Sequence, residues 1–190
     1  MYHSDAAAIA QSWIDRLAPY CQRIEVAGSL RRSKPEVKDI EIVAIPIIKK
    51  QDSLFEGLQD ARNLLVDALV AFALQDEFKV VKGKEKYKQL ALPEGINLDL
   101  FMVTQPAQWG VIFTIRTGPA EFSHYCVTKK HQGGRMPAWA KVQNGAVWNR
   151  DESLDMPEEQ DFFDFLQLPW IEPRDRKAPV LFLKTHGYLV

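Results

Sequence analysis

Cysteine is scarce in this chain: Cys21 and Cys126 are the only two in 190 residues, and their separation is not that of a metal-ligand pair. A disulfide framework is excluded, and a chain of this length buries enough core to fold without one. Both are expected as reduced thiols in an intracellular compartment. No apolar run approaches the ~18 residues that span a bilayer. The opening MYHSDAAAIAQSW lacks the basic n-region and apolar stretch of a signal peptide. A charge bias is missing too: 24 Lys and Arg face 25 Asp and Glu, so a nucleic-acid partner has to be met by a local basic surface. The four histidines have no ligand spacing, which argues against zinc, and no Gly-x-Ser-x-Gly elbow points to a hydrolase. These absences leave a soluble, intracellular globular protein without a membrane partner, of the cytoplasm or nucleoid, with a viral origin equally compatible.

The elements that are present change character along the chain. Ser4-Asp5 followed by AAAIAQSWIDRLAPY predicts a capped amphipathic helix ending near Pro19. QRIEVA (22–27) predicts a short strand, after which Gly28-Ser29 turn the chain into a loop or a single helical turn. DIEIVAIPI (39–47) predicts a strand by β-branching, and residues 60–75 predict a helix by their apolar spacing. FKVVKGKEKYKQLAL and INLDLFMV (96–103) predict two or three strands around a basic turn. Beyond Pro106 come two short helices parted by Gly118-Pro119, a hairpin turning at Asn144-Gly145, and a short helix in PEEQDFFDFLQL. The acidic first turn of that last helix suits its dipole. The reading is α+β, with a boundary near 104–106 between a sheet-based part (1–104) and a smaller mixed part (105–190).

The informative stretch is VAGSLRRSKPEVKDIEIVAI (26–45). In a strand, positions i and i+2 point the same way, ~6.5 Å apart, so Asp39 and Glu41 project together while Ile40 and Ile42 face the other side. Asp99 lies inside a second strand, INLDLFM, and a neighbouring strand only ~4.8 Å away would complete a three-carboxylate cluster. Acids in strands more often lie on a solvated face or pair with a lysine. Here the surroundings argue for chemistry. Gly28-Ser29 supply backbone N–H groups and a hydroxyl, and Arg31, Arg32, Lys34 and Lys38 follow before the acids. Close carboxylates repel unless neutralised, and Mg²⁺ is held by a few carboxylates plus substrate phosphates. Two such ions stabilise both oxygens of an in-line phosphoryl displacement. A pattern of Gly-Ser followed by acid-apolar-acid-apolar arises by chance in roughly one chain per hundred of this size; the third strand acid makes it far more specific.

Two basic groups stand apart from this stretch. KVVKGKEKYKQL places Lys82, Lys84, Lys86 and Lys88 at alternate positions, as one face of a strand or turn; a solvated face and a phosphate-binding one both fit. Lys129, Lys130, His131 and Arg135 form a second group near Gly133-Gly134, with the same two readings. The five tryptophans read mainly as core, with base stacking open to Trp139 and His131.

The residues resemble the nucleotidyltransferase superfamily, and more narrowly the family X DNA polymerases. The resemblance runs in the family's order over about 20–177: GSLRR, the acid pair at 39 and 41, KGKEKYKQLALPEGINLDLF, FTIRTGPAEF and FFDFLQLPWIEPRDR. It implies a nucleotidyltransferase palm at 1–104, with a small α/β nucleotide-binding subdomain at 105–190. It also implies a minimal form without the lyase and helix-hairpin-helix domains of larger members. Asp39, Glu41 and Asp99 would be catalytic and hold two Mg²⁺ ions, with Mn²⁺ able to substitute. Asp99 would help the 3′-hydroxyl lose its proton. Gly28, Ser29, Arg32 and Lys38 would bind the triphosphate. Thr117 and Gly118 would form the floor beneath the sugar, and Ser123 would stand near the new base pair. Lys82, Lys84, Lys86, Lys88, Lys129, Lys130 and Arg135 would contact DNA. The implied activity is DNA-directed addition of dNMP to a primer in gapped or primer-template DNA, for short-gap repair, by a monomer with a DNA ligase as a further partner. The chain departs from the family in having Glu41 for the second Asp, Ile115-Arg116 for a Tyr-Phe pair, and Asn97 at an often basic position. Template-independent or ribonucleotide addition therefore stays open, as does a catalytically weak nucleic-acid-binding scaffold.

Overall fold

Five short strands, the inner ones alternating apolar and polar residues, build the centre of the molecule. The computed structural model describes residues 1–52, 59–75 and 77–176; the end of the expected second unit, 177–190, lies outside them. Strands β1 (Cys21–Val26), β2 (Asp39–Pro46), β5 (Lys79–Lys84), β6 (Tyr87–Ala91) and β7 (Asn97–Met102) form one sheet in the order β1-β2-β7-β6-β5. The β2–β7 pair is parallel and the other neighbours are antiparallel, so the sheet is mixed.

Period-two alternation divides this sheet into two faces. Ile40, Ile42, Leu90, Leu98 and Leu100 point to one side, into a core completed by two helices. Helix α1 (His3–Leu17) contributes Ala6, Ala10, Trp13 and Leu17 at helical spacing. Helix α3 (Leu64–Ala73) contributes Leu65 and Leu69. Asn63 caps α3, its side chain accepting from the N–H groups of Leu65 and Val66. The expected helix from residue 60 therefore begins later, because Gln59–Asn63 forms strand β4 paired with β3 (Ile48–Asp52).

A second core lies C-terminal to this sheet. Helices α4 (Trp109–Thr117), α5 (Ala120–Val127) and α6 (Glu159–Phe165) pack Val111, Phe122, Cys126, Phe162 and Phe163 together. They meet a small sheet of β8 (Ala140–Gln143), β9 (Ala146–Asn149) and β10 (Glu152–Leu154). Asn144 and Gly145 both adopt positive φ, 53° and 80°, as the expected two-residue hairpin turn requires. Strand β10 has no signal in the sequence. A third cluster joins the two parts: Val43 and Val103 from the sheet side meet Trp109 and Phe113 of α4.

The architecture is α+β, a mixed sheet with helices, in agreement with the expected class. Among the described residues no helix is long and apolar enough to cross a membrane.

Candidate active site

The three acids come from adjacent strands in matched register. Glu41 pairs with Asp99 and Asp39 with Asn97 across the parallel β2–β7 ladder, so Asp39, Glu41 and Asp99 share one face. This is the face opposite Ile40, Ile42, Leu98 and Leu100. Along the same face the apolar side chains of Val43 and Phe101 follow, where α4 begins its cover.

Each carboxylate has distinct surroundings. Asp99 accepts hydrogen bonds on one oxygen, Oδ1, from Tyr87 Oη and Gln89 Nε2, both at 2.9 Å. These partners are on β6, where Gln89 lies directly opposite Asp99. Glu41 reaches across to Gly28, which has φ +60° and room for no side chain: a Cβ there would collide with the Glu41 carboxylate. The longer arm of glutamate thus lodges against the turn that the sequence suggests as an anion site. Burial, and then the charge of Asp39, push the Glu41 carboxyl up to about 7. Burial and the charge of Asp99 also raise Asp39, against the pull of Arg32 and Lys38.

The expected convergence on a common point is absent. Among the described residues, no group of three or more His, Cys, Asp or Glu side chains is gathered to hold a metal ion. The geometry gives the physical reason: Asp99 is drawn toward β6 by its two hydrogen bonds, Glu41 is drawn toward Gly28, and like charges separate. The donor chemistry nevertheless suits a hard divalent cation: three carboxylates on one face, two with raised proton affinity.

Around the acids, helix α2 (Gly28–Arg31) turns the chain after β1. Ser29 Oγ is buried without a hydrogen-bond partner among the described residues, as is Arg32 Nε. The guanidinium of Arg32 donates from Nη1 to Thr117 O at 2.6 Å. Arg31 donates to Thr117 Oγ1 and to Glu159 Oε2, both at 2.6 Å, with its guanidinium 3.9 Å over the Phe113 ring. Glu159 in turn accepts from the fully buried Arg176 at 2.8 Å. The arginine pair after Gly-Ser therefore clasps the end of α4. Sequence reasoning misses the Glu159 and Arg176 partners; both lie in charged runs, PEEQD and EPRDRK, where nothing local marks a buried ion pair.

The remaining predicted residues divide. Thr117 is buried and Gly118 packs so tightly on Phe122 that a Cβ would lie 2.6 Å from its ring. Ser123 Oγ donates to Ile115 O at 2.6 Å, tying α5 to α4. Lys38 is exposed beside Asp39. The lysine row does not form the single face that alternation suggests. Lys82 pairs with Gln89 and Lys84 with Tyr87, on the side of the acids, whereas Lys88 pairs with Gly83 and Leu100 on the opposite side. The reason is a tight turn at Glu85-Lys86, and Lys86 Nζ caps the carbonyls of Thr104 (3.4 Å) and Gln105 (3.3 Å). Lys79, which sequence reasoning also misses, joins Lys82 and Lys84 on the acid side through a bulge between Val80 and Lys82. The second basic group is used internally: Lys129 donates to the carbonyls of Pro137, Ala138 and Ala140, Lys130 to Gln167 Oε1, and Arg135 to Gln167 O.

Cys21 and Cys126 are free, and burial pushes both thiols up to about 12, so neither is a nucleophile at neutral pH. Compared with models of known protein families the chain matches none, and it matches no curated protein sequence.

Proposed function

We propose that the chain is a minimal family X-type DNA polymerase that adds dNMP to a primer 3′-hydroxyl, filling short gaps in DNA. One observation carries the reading: Glu41 opposite Asp99 in register, with Asp39 two residues earlier, all on one face beside the Gly28-Ser29 turn. In the reaction the primer O3′ bonds to the α-phosphorus, the bond to the bridging oxygen of pyrophosphate breaks, and the hydroxyl proton leaves. Asp39, Glu41 and Asp99 would hold two Mg²⁺ ions, or Mn²⁺ in their place. When bound, the ions stabilise charge on the attacking and leaving oxygens.

The chain's own groups have assigned tasks in this reading. Tyr87 and Gln89 fix the Asp99 carboxylate through one oxygen, leaving the other to accept the proton of the 3′-hydroxyl. Arg32 and Lys38, beside the acids, attract the triphosphate. The clasp of Arg31 and Arg32 on Thr117 sets the Thr117-Gly118 backbone as the floor of the nucleotide site. Lys82 and Lys84 offer cations to DNA phosphates along the acid side of the sheet edge. Residues 1–104 act as palm and 105–190 as the nucleotide-binding part, in a monomer that hands nicked DNA to a ligase.

The test is extension of a labelled primer across a gapped duplex with dNTP and Mg²⁺. Wild type extends; D39A and D99A do not, and activity retained in either refutes the metal assignment. A second reading is favoured by the carboxylates that stay apart: a nucleic-acid-binding scaffold with a decayed site marked by Glu41. Calorimetric titration with Mg²⁺-dNTP separates the two, because a scaffold has no metal-dependent nucleotide affinity.

A further inference from the structure

Arg116 stands near the end of α4, half-buried, with its guanidinium 3.9 Å over the ring of Phe101. Among the described residues its buried Nε has no hydrogen-bond partner, and no ion pair joins it to a carboxylate. The other arginines of this region are all engaged: Arg23 with Glu25 and Glu158, Arg31 with Thr117 and Glu159, Arg32 with Thr117. A guanidinium carries five donors and stays charged at any ordinary pH. The aromatic face beneath it answers the charge but none of the donors.

Phe101 lies on β7 two residues after Asp99, so the ring and that carboxylate share a face. Arg116 walls a cavity of about 500 Å³ together with Glu41, Asp99, Tyr87, Lys84 and Lys86. A positive charge has thus been built into the acid face by a helix from the C-terminal part of the molecule. Of the other cations, Arg32 is bonded to Thr117 O, Lys86 caps the carbonyls of Thr104 and Gln105, and Lys38 and Lys84 are exposed to solvent, on the loop before β2 and on β5.

We infer that Arg116 is the resident counter-cation of the acid face: it offsets the charge of Glu41 and Asp99 in the metal-free protein and, by like-charge repulsion, sets how tightly a divalent cation binds there. The inference rests on the reading of Asp39, Glu41 and Asp99 as cation ligands. Arg116 acts through these carboxylates and is a positioning residue. Phe101 holds it at the wall of the cavity that Glu41 and Asp99 also line.

The test is calorimetric titration of Mg²⁺ into wild type, R116M and R116K, without nucleotide or DNA, with thermal midpoints measured at zero and saturating Mg²⁺. R116M is expected to bind Mg²⁺ about tenfold tighter, the repulsion of a unit charge on a dication a few ångströms away at the dielectric of water. Its metal-free midpoint falls and Mg²⁺ restores it, whereas wild type responds less. R116K keeps the charge and is expected to keep wild-type affinity, so it reports even where R116M folds poorly. Equal Mg²⁺ affinity in wild type and R116M overturns the counter-cation role and leaves the metal reading standing. Tighter binding in R116K, which retains the charge, overturns it as well. Absence of Mg²⁺ binding in all three proteins overturns the metal reading itself, and the inference with it.

Discussion

The two faces of the β2–β7 strand pair are made of alternate residues of the same two segments, and they obey different rules. On one face Ile40, Ile42, Leu98 and Leu100 are fully buried against α1 and α3. On the other, Asp39, Glu41 and Asp99 are only partly buried, and burial raises the proton affinity of Asp39 and Glu41. The first face is tuned for stability, because each apolar group removed from water contributes favourably. The second costs stability, because desolvated carboxylates resist ionisation. A protein keeps such a face when the charge has work to do.

Breaking the acid face gives the largest expected effect. On the proposed polymerase reading, D99A is expected to lower gap-filling extension by on the order of 10³-fold, the charge stabilisation that bound ions would supply, while circular dichroism shows an intact fold. D39A behaves alike.

Next come effects on stability. Glu159 is nearly buried between Arg31 and Arg176. Removing one partner of a buried pair strands the other charges, so E159Q is expected to cost about 3–5 kcal/mol in urea unfolding. The pH dependence sharpens this. Burial alone would raise the Glu159 carboxyl, but the hydrogen bond from Arg31 and the charges of Arg176 and Arg31 outweigh it and hold it below the usual 4.5. The contribution is therefore complete above pH 4.5 and is lost as pH falls through the lower folded value. Acid unfolding profiles of wild type should show that loss, and E159Q should lack it.

On the apolar face, L98A leaves a cavity and is expected to cost about 2–5 kcal/mol, read by the same denaturation. Its Mg²⁺ affinity should match wild type, which distinguishes the two faces directly. The smallest effect belongs to the sheet edge. K82A with K84A should reduce the salt dependence of duplex binding by a slope of about 0.9 for each phosphate no longer neutralised, with extension at low salt nearly unchanged.

Much of this is legible in the sequence for local reasons. The strands at 21–26, 39–46 and 97–102, the hairpin at Asn144-Gly145 and helices α4, α5 and α6 follow from β-branching, turn chemistry and apolar spacing. The shared face of Asp39 and Glu41 follows from the pleat alone. What escapes is decided by partners distant in sequence. β4 reads as the start of a helix because its pairing with β3 has no local signal. Lys88 groups with Lys82 and Lys84 in the linear chain because simple alternation takes no account of the turn at Glu85-Lys86. The acceptors of Lys129, Lys130 and Arg135 also escape, because oxygens contributed by other segments are invisible in a linear chain.

By itself the sequence determined strands β1, β2 and β7, the two faces of β2 and β7 and the types of chemical groups on each, since these depend on period and composition within a few residues. Only the tertiary structure decided that Asp99 sits opposite Glu41, that α4 lays Arg116 over Phe101, and that Glu159 bridges two arginines. Such juxtapositions are set by packing and register between segments far apart in the chain, and electrostatic interactions act over ångströms of space regardless of separation in sequence.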